Sequence, residues 1–178
     1  LLVAGSISWL YYSDRLVELP LGVFGIAIAT VILPKLSEKY SKNSMTEYSE
    51  MIRKAIKIAI VFSLPAMFGL LVLAEHIIST LFQYGNFKFT DTLMSSLSLL
   101  AYSVGLPAFI LMKVLLTGFF SRQDTLTPVK YGAIAVMFNI AMNLSVVIYY
   151  MNKPFQGAHA LLALATSLSA WLQVILLY

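Results

Sequence analysis

Cysteine is absent from this sequence. That excludes disulfides and thiolate metal sites, without fixing a compartment. Charge is scarce as well. Charged residues make up 11% of the chain and hydrophobic residues 60%, with a mean hydropathy of +0.84. A soluble domain carries about 25% charge, so the composition excludes one and points to an integral membrane protein. No alternating ten-residue pattern is present, which excludes a transmembrane barrel. The apolar stretches are helix-length, so the expected fold is all-α, a polytopic transmembrane helical bundle. No P-loop, G-x-S-x-G elbow or metal-ligand cluster occurs. The net charge of +4 bears on membrane topology, and no nucleic-acid partner is expected. There is no starting Met, no visible signal peptide, and an apolar run at both ends. The expectation is a piece of a longer polytopic protein.

The charges that are present stand in unusual places. The stretch Ser8 to Pro20, SWLYYSDRLVELP, puts Asp14, Arg15 and Glu18 inside an otherwise apolar segment. A charge near mid-bilayer costs about 2.5–3.5 kcal/mol on insertion scales. Three within five residues should face other protein or a watery cavity, and by default they mark a substrate or ion path. With uniform winding of about 100° per residue, Ser8, Tyr11, Asp14, Arg15, Glu18, Gly22, Gly25 and Ala29 share an arc of about 120°. The alternative is a packing face, with small residues for close approach and an Arg15–Glu18 pair one turn apart.

Five spans are expected, at about 7–33, 56–78, 93–120, 129–150 and 158–178, the first stopped by Pro34. Lys35, Lys39, Lys42, Arg53, Lys54, Lys57, Arg122 and Lys130 fall in the 34–57 and 121–130 loops. Only Lys88 and Lys153 fall on the other side. This bias places the richer loops in the cytoplasm and the 79–92 and 151–157 loops outside.

Ser44 and Glu47 form an S-x-x-E capping box before Met45, Tyr48, Ile52, Ala55 and Ile56 at helical spacing. They predict a short amphipathic helix over about 44–55, an interfacial elbow on the inner surface near anionic headgroups. Pro65 and Pro107 lie inside spans, as kinks or as hinges. Lys113 lies about two turns from the cytoplasmic end of its span. It either snorkels to the headgroups or adds a second cation to the cavity of Arg15. Thr127 as N-cap with Pro128 at the first helical position predicts a directed turn, with an Arg122–Asp124 gate as the alternative. Asn139 and Asn143 share one face. With Thr166, Ser167 and Ser169 they suit either interhelical hydrogen bonds or a sodium ion. Glu75 and His76 read as interfacial.

Four segments, GSISWLYYSDRLVELPLGVFGIAIATVILPKLS, LFQYGNF, AYSVGLPAFILMKVL and FFSRQDTLTPVK, occur in that order. Together they closely resemble the MurJ (MviN) lipid II flippases of the MOP exporter superfamily. The resemblance implies a fourteen-helix transporter with two lobes around a cationic cavity. This chain would supply helices eight to twelve of the second, C-terminal lobe, and the first lobe would be its missing partner. It implies movement of lipid II, the undecaprenyl-diphosphate-linked disaccharide-pentapeptide, across the bacterial inner membrane for cell-wall synthesis. Arg15 occupies the arginine of the Y-x-D-R-L motif, with Glu18 at an acidic position one turn on. The substrate-binding set expected is Arg15, Glu18, Asp14 and Lys113. No cofactor is implied, but Na⁺ or membrane-potential coupling is. Asn139, Asn143 and Thr166 are the nearest counterparts of the family's sodium ligands, although an acidic ligand would be expected where Asn143 stands. A cation-coupled drug or polysaccharide exporter of the same superfamily, or a non-transporting scaffold, remains the alternative.

Overall fold

A computed structural model describes residues 5–150 and 157–178. The expected outer loop with Lys153 lies outside them, apart from Gly157. The helices are α1 (Ser6–Pro20), α2 (Ala27–Ser41), α3 (Met45–Phe82), α4 (Phe89–Ser121), α5 (Leu126–Tyr150) and α6 (Ala158–Leu177). A π-helical turn, Leu21–Ile26, joins α1 to α2, so the two form one rod from Ser6 to Ser41. Counting that rod once, five helices are long and apolar enough to cross a bilayer.

Helix α4 is the hub. Over half of its most apolar window is buried (56%), against 6% for α5. Its neighbours follow from side-chain contacts. Trp9 meets Asp91 and Ser13 meets Ser95, so α1 runs parallel to α4. Ser167 donates to Ala101 O and Trp171 to Val104 O, so α6 is parallel too. Tyr48 meets Gly118, which makes α3 antiparallel. The closest approach is at Gly105, where a Cβ would fall 2.5 Å from Ser167 Oγ and 2.9 Å from Ser167 Cα. With Ala101, Ala108, Ala163 and Ala170 also buried, α4 and α6 meet through small residues, as membrane helices do.

Two expectations about the helices are corrected. Pro34 does not stop the first helix, which runs on to Ser41. An interior proline costs about 3 kcal/mol. Pro34 lies on an exposed face, and the turn beyond it buries Leu36 completely. Burying a leucine returns about 1.5–3 kcal/mol, enough to offset most of that cost. The separate amphipathic elbow over 44–55 is also not found: α3 runs unbroken from Met45. Tyr48, Ala55, Ala59 and Ser63 are all buried, one continuous stripe that belongs to the bundle. Ser44 takes the N-cap position but makes no side-chain cap bond. Glu47 instead forms an ion pair with Lys39 across the α2–α3 turn, and Asn43 adopts the left-handed conformation that reverses the chain. Pro65 and Pro107 both lie within unbroken helices.

Candidate functional site

The azimuth of Arg15 is set by what α1 buries. Ser6, Trp9, Ser13, Val17 and Pro20 are buried, and at about 100° per residue they span about 80° of the helix. Trp9 Nε1 donates to Asp91 Oδ1 (2.9 Å) and Ser13 Oγ to Ser95 O (2.7 Å), which seats this face on α4. Arg15 lies about 160° round from Val17 and therefore projects away from α4. Its Nη1 donates to Glu18 Oε2 at 2.6 Å, and its guanidinium sits 4.9 Å from the Tyr11 ring centroid. Both ion-pair partners are about half exposed, at 54% and 49%. Tyr11, Arg15 and Glu18 thus form a ladder at i−4, i and i+3 on an open helix face. Asp14 lies on the flank, half-buried and within electrostatic range of Tyr102 on α4.

The expected arc does not continue past Pro20. Uniform winding would put Gly25 and Leu36 about 80–100° from Val17, on the Glu18 side. Both are buried instead, with Gly25 against Ile110 of α4. The π turn explains this. Pro20 removes one backbone donor, and the wider i→i+5 turn that follows absorbs one extra residue. One residue is worth about 100°, which returns Gly25 and Leu36 to the face of Val17. The Arg15 ladder and the packing glycine therefore lie on opposite sides of the rod. Gly22 has open space beside it.

Lys113 is not brought beside Arg15. It stands one turn beyond Ile110, which packs on Gly25. That places it about 20 Å along the bundle from Arg15. It is half-buried and belongs to no ion pair among the described residues.

Asn139, Asn143 and Thr166 do come together, between α5 and α6. Asn143 Nδ2 donates to Asn139 Oδ1 at 3.0 Å. Asn139 Nδ2 makes longer contacts of 3.5 Å to Thr166 Oγ1 and Ser169 Oγ. Asn143 Oδ1 is buried without a hydrogen-bond partner, and a buried acceptor left unmade is costly. Neutral oxygens are donors that suit a hard cation, so the cluster fits sodium in donor type, though no carboxylate takes part. Among the described residues no three His, Cys, Asp or Glu side chains group as a metal site. Glu75 and His76 are exposed on α3.

The α4–α5 connection is a structural turn. Asp124 Oδ1 accepts from the Thr127 amide at 3.0 Å, so Asp124 rather than Thr127 caps α5. The Thr127 hydroxyl and then its amide hold the Asp124 carboxyl below the usual carboxylate range. Arg122 does not pair with Asp124. Its Nε donates to Tyr48 Oη at 2.9 Å, and its guanidinium lies over the Tyr48 ring at 4.5 Å. Sequence reasoning missed this pair, because 74 residues separate its members and no local spacing signals it.

The sequence profile of the family described as "Lipid II flippase MurJ" matches residues 1–178. The chain belongs to that family. It is 49% identical over 177 residues to the probable lipid II flippase MurJ of Vibrio cholerae, covering 99% of this chain and 32% of that protein. The corresponding values for the Haemophilus influenzae protein of the same description are 43% over 183 residues, 99% and 34%. Among solved structures, the lipid II flippase MurJ in its inward closed conformation superposes with a TM-score of 0.84. It is 31% identical, and the match covers 97% of this chain and 35% of that one. The chain therefore spans about a third of the length of its MurJ relatives, and it is a multi-pass membrane protein of a transporter family.

Proposed function

We propose that the full-length protein flips lipid II from the inner to the outer leaflet of the bacterial cytoplasmic membrane by alternating access, for cell-wall synthesis. This chain is then helices eight to twelve, most of the C-terminal lobe, and the first lobe closes the cavity that Arg15 faces. One observation carries the reading: the Arg15 guanidinium is held between Tyr11 and Glu18 on the face that the bundle leaves open. A guanidinium offers bidentate donors to a diphosphate. Glu18 holds it in place while the cavity is empty and yields it to phosphate. Asp14 borders the same face, and Lys113 lies at a different depth along the bundle.

The test is rescue of bacteria depleted of their own flippase by the full-length protein, with outer-leaflet lipid II as the readout. Restored growth and export support the proposal. Membrane-inserted protein without export would favour the cation-coupled exporter of the same superfamily.

Coupling to Na⁺ is a second part of the proposal. Asn143 Oδ1 and Thr166 Oγ1 would hold the ion, joined by Asn139 once its amide turns its oxygen inward. The ion would supply charge that stabilises α5 against α6. Full-length protein should then melt at higher temperature in NaCl than in equimolar choline chloride, and Asn143→Ala should remove the difference. Equal melting in both salts would leave the membrane potential as the driving force, acting on charges within the membrane.

A further inference from the structure

The chain carries a second cationic feature, remote from Arg15 and toward the other end of the bundle. A cavity of about 330 Å³ opens between α3, α4 and α6, with Arg53 and Arg122 on its rim. Its floor is apolar: Ile52, Ile56, Leu115 and Leu177. Neither arginine belongs to an ion pair among the described residues. Two guanidiniums on one small cavity repel each other unless an anion lies between them.

Arg122 is held in position by a buried support. Tyr48 is 1% exposed. Its hydroxyl donates to Gly118 O at 2.6 Å, lies 2.9 Å from Ser121 Oγ and accepts from Arg122 Nε. With Nε so occupied and the guanidinium over the Tyr48 ring, the four terminal N–H donors of Arg122 remain available. The cavity lies at the end of the bundle that carries the Lys- and Arg-rich loops, the end that the positive-inside bias places in the cytoplasm. Polar donors above an apolar floor at the membrane edge match a lipid headgroup and the start of its acyl chain.

We propose that this cavity binds an anionic phospholipid, its phosphate between Arg53 and Arg122 and its acyl chain along Ile52, Ile56 and Leu115. The lipid ties the inner end of α3 to α4 and α6. The site is independent of the export reading, because its readout is lipid binding and not transport.

The experiment is native mass spectrometry of the full-length protein released from micelles containing phosphatidylglycerol or phosphatidylcholine. Native protein should retain phosphatidylglycerol selectively. Arg53→Gln should weaken that retention about fivefold, in line with about 1 kcal/mol per basic residue at an anionic surface. Arg53→Lys should recover much of it. Arg122→Gln should do at least as much harm, but it also removes the Tyr48 contact, so Arg53→Gln is the deciding variant. Lys130→Gln, on α5 at the same end, should change nothing. Undiminished retention in Arg53→Gln would overturn the proposal, and so would an equal loss in Lys130→Gln, which would mean diffuse attraction. Competition by millimolar inorganic phosphate alone would overturn the lipid as occupant in favour of a free anion.

Discussion

Arg15→Ala in the full-length protein is expected to abolish rescue of flippase-depleted cells while the protein remains in the membrane. The change removes the cation from the face turned away from α4 and leaves Glu18 without its 2.6 Å partner. An anionic substrate then meets a carboxylate where it met a guanidinium. Loss of charge-assisted hydrogen bonds should weaken binding of a diphosphate lipid by about tenfold to a hundredfold. Arg15→Lys should restore only part of the activity, because an ammonium keeps the charge but loses the bidentate fork and the stacking on Tyr11. Stability should hardly move in either variant, since the ion pair is half exposed and such pairs contribute little. Normal growth with Arg15→Ala would remove Arg15 from the substrate site. A large drop in melting temperature would instead make the ladder structural.

Gly105→Ala is expected to damage the fold itself. The added Cβ would lie 2.5 Å from Ser167 Oγ and 2.9 Å from Ser167 Cα. A side chain could rotate aside, but a backbone atom cannot, so α4 and α6 must separate. Overpacking of this kind costs about 1–3 kcal/mol, and it also strains the 2.7 Å bond from Ser167 Oγ to Ala101 O. The full-length protein should melt several degrees lower and express poorly. Gly69→Ala is the matched control, because nothing lies within 4 Å of its new Cβ. It should be neutral or slightly stabilising, since alanine is the better helix former by about 1 kcal/mol. Equal melting of the two variants would show that the α4–α6 approach is not tight.

The ladder around Arg15 was legible in the sequence because it is local. Tyr11, Arg15 and Glu18 lie within eight consecutive positions, and helical spacing alone places them on one face. Asn139 and Asn143 were legible for the same reason. Their meeting with Thr166 required the antiparallel packing of α5 on α6, which spacing does not specify. Lys113 shows the opposite failure. Its charge inside a predicted span marked it as unusual, but depth along a bundle depends on which turns of α1 and α4 lie side by side.

What the residues determined without any partner was the number and kind of elements. Long apolar stretches with scarce charge cannot satisfy their backbone in lipid except as helices. The tertiary structure decided the phase and the ends of those helices. Pro34 should have stopped the first rod by local chemistry, and the burial of Leu36 against the bundle carried it on to Ser41. The segment from Met45 should have lain on the membrane surface as an amphipathic helix, but Tyr48 and Ala55 found neighbours in the bundle and drew it into α3. Uniform winding should have placed Gly25 beside Arg15, and packing on Ile110 selected a π turn that separates them. In each case local preferences differ by only a few kcal/mol, and contacts between segments far apart in the chain are large enough to reverse them.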